Sequence, residues 1–460
     1  MFMANKLWWS LFFLISILHV CRSAIPKPNA AQYRYQENDF LALIHFNMGT
    51  FAHNGDPCCD ETNWNTLAPF ATGKTSDPAT FNPELLNTDQ WMESITALGA
   101  NIAVLTAKHG CGFCLWPTKA KFKDGSAYNY NVGIEGAAIQ KDVLRMFVNS
   151  AKKFKVGYGF YYSIMKNFYL CRSYVGKNSC TEKVLKNQRN ISDDEYLSIA
   201  RQQVTELWTE YGNLTRIWVD SGLGGLGDLM EKLQPNAAGN PSNPVGWCGT
   251  ETGHPSEDCG GGPVWNTGGG FHGNLSQNYW EPKMCDPQLF VQHVWFWEPN
   301  LFVRTLRDLI PIYHDIVGRG MVMELAFSID RYGLVEEKHA ARYKELGEWV
   351  RECYGKPIAS TNGTGSNFKI VLEYATFDRF QIKEAIKGGE LVREFEIHID
   401  GVGMGSNVLY RGQAIGRKRI VVLNEPITVS ETTGLYLVIK EQIAPPNISQ
   451  FAVFKQCRSG

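Results

Sequence analysis

The chain has 460 residues, 44% hydrophobic and 20% charged, and a formal net charge of −1. That is enough apolar material for two domains. Basic and acidic side chains are interspersed, which excludes the one-signed surface that nucleic acid or an anionic membrane would select, so neither is an expected partner.

At the amino end, Met1 to Lys6 precede an apolar run from Trp8 to Val20, followed by Cys21-Arg22-Ser23-Ala24. This run is shorter than the ~20 residues a membrane helix needs. With small residues after it, the pattern predicts a secretory signal peptide over residues 1–23, cut before Ala24. The expected location is secreted and extracellular (the apoplast in a plant). Five sequons fit an N-glycosylated protein of that compartment: Asn190, Asn213, Asn274, Asn362 and Asn447. Of the twelve cysteines, eleven remain once Cys21 is removed, so at least one is unpaired or bridges to another molecule. Cys171 with Cys180, Cys248 with Cys259, and Cys353 with Cys457 are plausible disulfide bonds.

From there to about Cys353, apolar strand-like runs alternate with amphipathic helices. Strands are predicted at Phe40–Phe46, Ile102–Lys108, Val156–Ser163, Leu214–Ser221, Val291–Trp297 and Met321–Phe327. Helices are predicted at Thr88–Leu98, Lys141–Lys155 and Ser192–Tyr211. The alternation indicates an α/β fold with a parallel sheet, doubly wound or closed into a barrel. The stretch from Gly224 to Asn274 lacks periodicity and reads as an active-site loop system. Composition changes after Gly355. Pro357–Asn367 reads as a polar linker, and from Phe368 Val/Ile-rich strands (Lys369–Glu373, Glu394–Ile399, Arg419–Leu423, Gly434–Lys440) predict an antiparallel β-sandwich over 368–457.

Four apolar runs stop on polar groups: His45, Lys108-His109, Tyr161-Tyr162-Ser163 and Asp220. In a β/α barrel such strand ends converge on one rim, which hosts the site. Taken singly, each is better explained as a cap or a satisfied core residue; four in parallel favour a shared site. Trp64, Trp116, Trp218, Trp280, Trp295 and Trp297 fall near strand ends or loops. Indole faces pack on the apolar face of a pyranose, although tryptophan is also a frequent core residue. A sugar hydrolase further needs two carboxyl groups, one nucleophile or base and one acid.

Other signals carry less. Gly222-Leu223-Gly224-Gly225-Leu226-Gly227 matches the dinucleotide fingerprint but lacks the following strand and its carboxylate. Cys111-Gly112-Phe113-Cys114 has redox spacing, yet Pro117 and the missing βαβ context favour a structural disulfide or packed thiols. His45 and His109 have no metal-ligand spacing. No metal or cofactor is expected.

The chain resembles the α-L-fucosidases of glycoside hydrolase family 29, in particular a plant secreted branch acting on 1,3/1,4-linked fucose. The similarity runs through Phe40–Phe46, Phe81-Asn82-Pro83, Gln90-Trp91, Ala107-Lys108-His109, Gly112–Pro117, Phe160–Ser163, Tyr211-Gly212 and Trp218-Val219-Asp220. It continues through Trp280, Pro282, Asp286, Trp295-Phe296 and Gly333-Leu334. The resemblance implies a catalytic barrel over 24–356 and a discoidin-like sandwich, to which Phe395, Gly416, Arg417 and Ile420 correspond. It implies a retaining exo-fucosidase acting on fucosylated oligosaccharides or glycans, with Asp220 as nucleophile. Sugar-binding positions carry over to His45, Trp64, His109, Tyr162 and Trp218, and more loosely to Glu61 and Trp295. Two positions depart from the family pattern. Gly110 replaces a second histidine, and Met284 stands where the family has its acid/base glutamate. Glu281, between Trp280 and Pro282, is the nearest substitute, with Glu251 and Glu298 as alternatives. A carbohydrate-binding glycoprotein with a decayed barrel is the competing reading.

Overall fold

The structure is a computed structural model that describes residues 25–51, 77–164, 166–173, 177–178, 189–220, 222, 224–256, 259, 279–292, 294–400 and 406–457. Seven parallel strands form one sheet: Phe40–His45 (β1), Ile102–Lys108 (β2), Gly157–Ser163 (β3), Arg216–Asp220 (β4), Gly246–Trp247 (β5), Lys283–Cys285 (β6) and Val322–Ser328 (β7). Their spatial order is β4-β3-β2-β1-β7-β6-β5. Neighbours in the sheet are neighbours in sequence except at one place, where the last strand pairs with the first over six positions, Phe40 with Met323 through His45 with Ser328. That is barrel topology. The sheet curls into a half-barrel whose seam, between β4 and β5, carries a single bridge from Arg216 to Ala238. β1, β2 and β7 are buried along their whole length, as expected of parallel strands covered on both faces.

The covering helices begin where short polar side chains satisfy their first N–H groups. Asn29 caps Ala30–Gln36 (α1), Asn87 caps Thr88–Leu98 (α2), Asp142 caps Val143–Phe154 (α3) and Ser192 caps Asp193–Thr209 (α4). Helix α2 ends on Gly99 at φ 95, the left-handed conformation that glycine adopts without strain. Side chains alternate between two cores. Ile44, Leu105, Phe160 and Ile217 face the helices, whereas Leu41, Leu43, Val104, Tyr161, Met284 and Val322 fill the inside of the curl. α1 lies across the amino ends of the strands. Tyr35 donates to Glu324 Oε1 at 2.5 Å, and the same oxygen pairs with Arg216 Nε at 3.1 Å inside the barrel.

Beyond the barrel come eight antiparallel strands: Ala359–Thr364 (β8), Asn367–Leu372 (β9), Ala375–Glu384 (β10), Val392–Asp400 (β11), Ser406–Gln413 (β12), Arg419–Val429 (β13), Thr433–Gln442 (β14) and Asn447–Phe454 (β15). They form two four-stranded sheets, β8-β15-β10-β13 and β9-β14-β11-β12, packed on Phe377, Phe380, Phe395, Leu435, Leu437 and Phe451. Asp39, just before β1, joins the two halves by accepting from Arg417 Nη1 at 2.9 Å and Lys418 Nζ at 2.5 Å. A Cys353–Cys457 disulfide joins helix Glu337–Tyr354 to the segment after β15.

Three expectations are corrected. The segment read as a linker contains β8, whose polar residues alternate because one face is open. Val291–Trp297 is not a strand; residue 293 lies outside the described residues, and Phe290 bridges to Val303. The barrel strand sits earlier, at Lys283–Cys285, and another lies inside the expected loop at Gly246–Trp247. Both are too short for periodicity to reveal.

Candidate active site

Because successive strand residues point to opposite faces, the register decides which strand-end groups meet. β3 and β4 pair Tyr161 with Trp218 and Ser163 with Asp220. Tyr161, Trp218 and Asp220 therefore face the inside of the barrel at its carboxyl rim. The Tyr161 hydroxyl donates to Asp220 Oδ2 at 2.7 Å, and its ring lies 6.3 Å from that of Trp218. His109, after β2, stacks on Tyr161 with centroids 5.3 Å apart. His45, the end of β1, stacks on Trp295 at 4.7 Å and lies 6.1 Å from His109. Phe296 sits edge-on to both histidines. The result is a cup of aromatic walls with a half-buried carboxylate in it.

Burial drives the His45 imidazole down to about 3. His109 is held well below the ordinary histidine range, first by burial and then by His45, Lys166 and Lys108. Both rings are therefore neutral, and each has a buried Nδ1 without a hydrogen-bond partner among the described residues. A neutral imidazole both donates and accepts, which suits a sugar hydroxyl. Lys108 turns away from the cup: its Nζ donates to the carbonyls of Ser163 (2.5 Å) and Lys166 (3.2 Å) and lies 4.5 Å over the Tyr162 ring.

Tyr162 does not belong to this cup. It is one residue out of phase, facing the helices, where its hydroxyl donates to Gln203 of α4 at 2.7 Å; Tyr161 takes the place expected for it. Glu281 is not brought to the rim either. It precedes β6 and so lies at the amino end of its strand, where it pairs with Lys283 beside Gly246 on the outer face. Trp280 at that end donates to Gln36 of α1 at 2.9 Å. Trp116 is core, donating to Glu206 at 2.7 Å. Trp297 donates to Glu336 at 2.6 Å, and Glu298 follows it, half-buried. Glu61, Trp64, Asn274 and the predicted signal peptide lie outside the described residues. Asn190, Asn213, Asn362 and Asn447 are exposed.

Two carboxyl groups missing from the strand-end reading follow the short strands. Glu251 comes four residues after Trp247, in a segment tied by the Cys248–Cys259 disulfide; its Oε2 is buried. Asp286 follows β6 and accepts from Trp247 Nε1 at 2.7 Å. Burial, then Glu251 and Glu324, push its carboxyl well above the usual range, the Trp247 hydrogen bond only partly opposing them. Met284, at the family's glutamate position, faces the barrel interior as an apolar residue.

The other motifs resolve as structure. Cys114 is a free buried thiol and Cys111 is disulfide-bonded, so the two do not form a redox pair. The glycine run leads only to the short helix Gly227–Leu233, after which the chain returns to the barrel sheet at the two-residue strand β5.

A curled parallel sheet with an aromatic cup and carboxyl groups at its carboxyl rim is an arrangement that suits a glycoside hydrolase. The family model for α-L-fucosidase matches residues 51–356, and the chain belongs to that family. Alpha-L-fucosidase 1 of Arabidopsis thaliana is 25% identical over 501 residues, covering 96% of this chain and 90% of the relative. A solved structure from Bacteroides thetaiotaomicron is 28% identical with a TM-score of 0.78, covering 94% of this chain and 100% of its own. A Ruminococcus gnavus glycoside hydrolase 29 fucosidase, solved in complex with fucose, shares the fold at 17% identity and a TM-score of 0.71, over 94% of this chain and 96% of that one.

Proposed function

We propose that the protein is a secreted, retaining exo-α-L-fucosidase that removes terminal α-1,3/1,4-linked fucose from oligosaccharides or glycans, with Asp220 as nucleophile and Glu251 as acid/base. The observation that carries this reading is the Asp220 carboxylate at the barrel rim, oriented by Tyr161 and flanked by His45, His109, Trp218 and Trp295. Asp220 attacks the anomeric carbon while the acid protonates the departing glycosidic oxygen. Water, activated by the same group as base, then hydrolyses the fucosyl-enzyme. The neutral histidines bind ring hydroxyls, and the tryptophans pack the apolar face and methyl of the 6-deoxy sugar. Glu251 replaces Glu281 because its segment leaves the carboxyl end of β5, on the Asp220 rim. Secretion and glycosylation are supported by the Cys248–Cys259 and Cys353–Cys457 disulfides, which persist in oxidising compartments, and by the exposed sequon asparagines.

The test is mechanism-based labelling with a 2-fluoro-fucosyl fluoride followed by peptide mapping. The label is expected on the peptide carrying Trp218-Val219-Asp220. A label elsewhere, or near-normal turnover of an aryl α-L-fucoside by Asp220→Gly, overturns the assignment. Parallel assays on α-1,2-, α-1,3- and α-1,4-fucosylated oligosaccharides decide the linkage.

A further inference from the structure

Among the described inner-face aromatics of the barrel, Trp247 is the most exposed. β5 and β6 pair Trp247 with Met284, and Met284 belongs to the interior core, so the indole also faces inward. Yet Trp247 is 50% exposed, whereas Tyr161, Phe296 and Trp295 are 5%, 5% and 8% exposed. Its Nε1–H is satisfied by Asp286 Oδ1 at 2.7 Å, and Asp286 itself is 5% exposed. The backbone is anchored on both sides, with Gly246 N donating to Pro282 O at 2.8 Å and Cys248 N to Met284 O at 3.0 Å. An indole whose only polar atom is already bound, on a fixed backbone, offers solvent an apolar face of fixed orientation. That face suits the C–H side of a pyranose ring.

We propose that Trp247 is the platform for the sugar that leaves with the glycosidic oxygen, and that Asp286 is the positioning residue that holds it. The inference rests on the fucosidase reading above and adds to it the recognition of the aglycone. Trp247 directly precedes the disulfide-tied segment that carries Glu251, and Glu251 acts on Asp286, the partner of the Trp247 indole, so a leaving sugar stacked there has its glycosidic oxygen beside the group that protonates it. Burial, Glu251 and Glu324 push the Asp286 carboxyl above the usual range, partly opposed by the Trp247 hydrogen bond. An exposed indole face whose N–H is already bound to Asp286 suits a neutral hexose or N-acetylhexosamine.

Two substrates separate this role from chemistry on fucose. α-L-Fucosyl fluoride has no leaving sugar, whereas a fucose-α-1,4-N-acetylglucosamine-containing trisaccharide does. For Trp247→Ala, the ratio of kcat/KM on the trisaccharide to that on the fluoride should fall ten- to a hundredfold, mostly through KM. Trp247→Phe should recover much of that ratio. Asp286→Asn, which keeps an acceptor for the indole N–H, should preserve the ratio, and Asp286→Ala should lower it. An unchanged ratio in Trp247→Ala overturns the proposal, as does an equal loss on both substrates, which would place Trp247 in the fucose subsite. Should the wild-type protein turn over neither substrate, the fucosidase reading fails separately. Calorimetric titration with the unfucosylated galactosyl-N-acetylglucosamine disaccharide then decides for the platform: binding weakened at least tenfold by Trp247→Ala supports it, and equal or absent binding in both proteins overturns it.

Discussion

At the scale of single residues, one position along β3 separates two tyrosines with opposite roles. Tyr161 donates to Asp220 inside the cup, and Tyr162 donates to Gln203 in the helix layer. Tyr161→Phe removes the hydroxyl that donates to the proposed nucleophile and should lower kcat at least tenfold with little change in melting temperature. Tyr162→Phe leaves the buried Gln203 amide oxygen without that donor, which costs about 1–3 kcal/mol. It should appear in denaturant unfolding and not in kcat. The reverse pattern would place the wrong tyrosine in the site. The acid/base assignment has a similar pair. Glu251→Ala should stall on deglycosylation of an activated aryl fucoside and regain turnover with azide, which replaces the water it activates. Glu281→Ala, altered at the amino end of the barrel, should turn over unactivated oligosaccharides at close to the wild-type rate. Azide rescue of Glu281→Ala instead would return the acid to that residue.

At the scale of elements, the strands of the sandwich hold a carboxyl group out of water. Glu384 ends β10, accepts from the amides of Leu391 (2.6 Å) and Val392 (3.3 Å), and is buried. Burial first, then Glu390, raises its pKa to about 8 from an ordinary 4.5. The folded state thus holds a proton that the unfolded chain gives up. Its contribution to stability is complete below pH 4.5 and is lost as pH rises through about 8. Glu384→Gln keeps the oxygen that accepts from the amides and removes the titration. Thermal melts of the variant should lose less stability than the wild type between pH 4.5 and 8. Parallel melting curves across that range would show that Glu384 is ionised in the fold.

For the whole molecule, the join between barrel and sandwich depends on Asp39. Burial alone would raise its pKa, but Lys418 and Arg417 hold it below the usual carboxylate range. This group therefore stabilises above the ordinary carboxylate pKa, and the contribution is lost as pH falls. Asp39→Asn leaves Arg417 and Lys418 buried without their counter-charge, 6% and 8% exposed, and breaking such a pair costs about 3–5 kcal/mol. The loss should appear as a lower denaturant midpoint near neutral pH, shrinking in acid. An unchanged midpoint would mean that the two halves dock without the cluster.

Much of this protein was legible in its sequence. The apolar runs of β1, β2, β3, β4 and β7 are long enough for their composition to mark them, and their capped helices begin on Asn, Asp or Ser. Alternation of the two gave the parallel sheet, and the shift to Val/Ile-rich segments gave the sandwich. Asp220, His45 and His109 stood out because each ends an apolar run. What the sequence left open is what register and strand direction decide. A one-residue change of phase moves a side chain from the cup to the helix layer, which is why Tyr161 and not Tyr162 meets Asp220. Strand direction places Glu281 at the amino end and Asp286 at the rim, although five positions separate them. Trp247 was hidden for the same reason, and Glu251, in sequence only an alternative acid, owes its place at the rim to the same strand. β5 and β6 are two and three residues long, too short to show a period, and only pairing with their neighbours makes them strands.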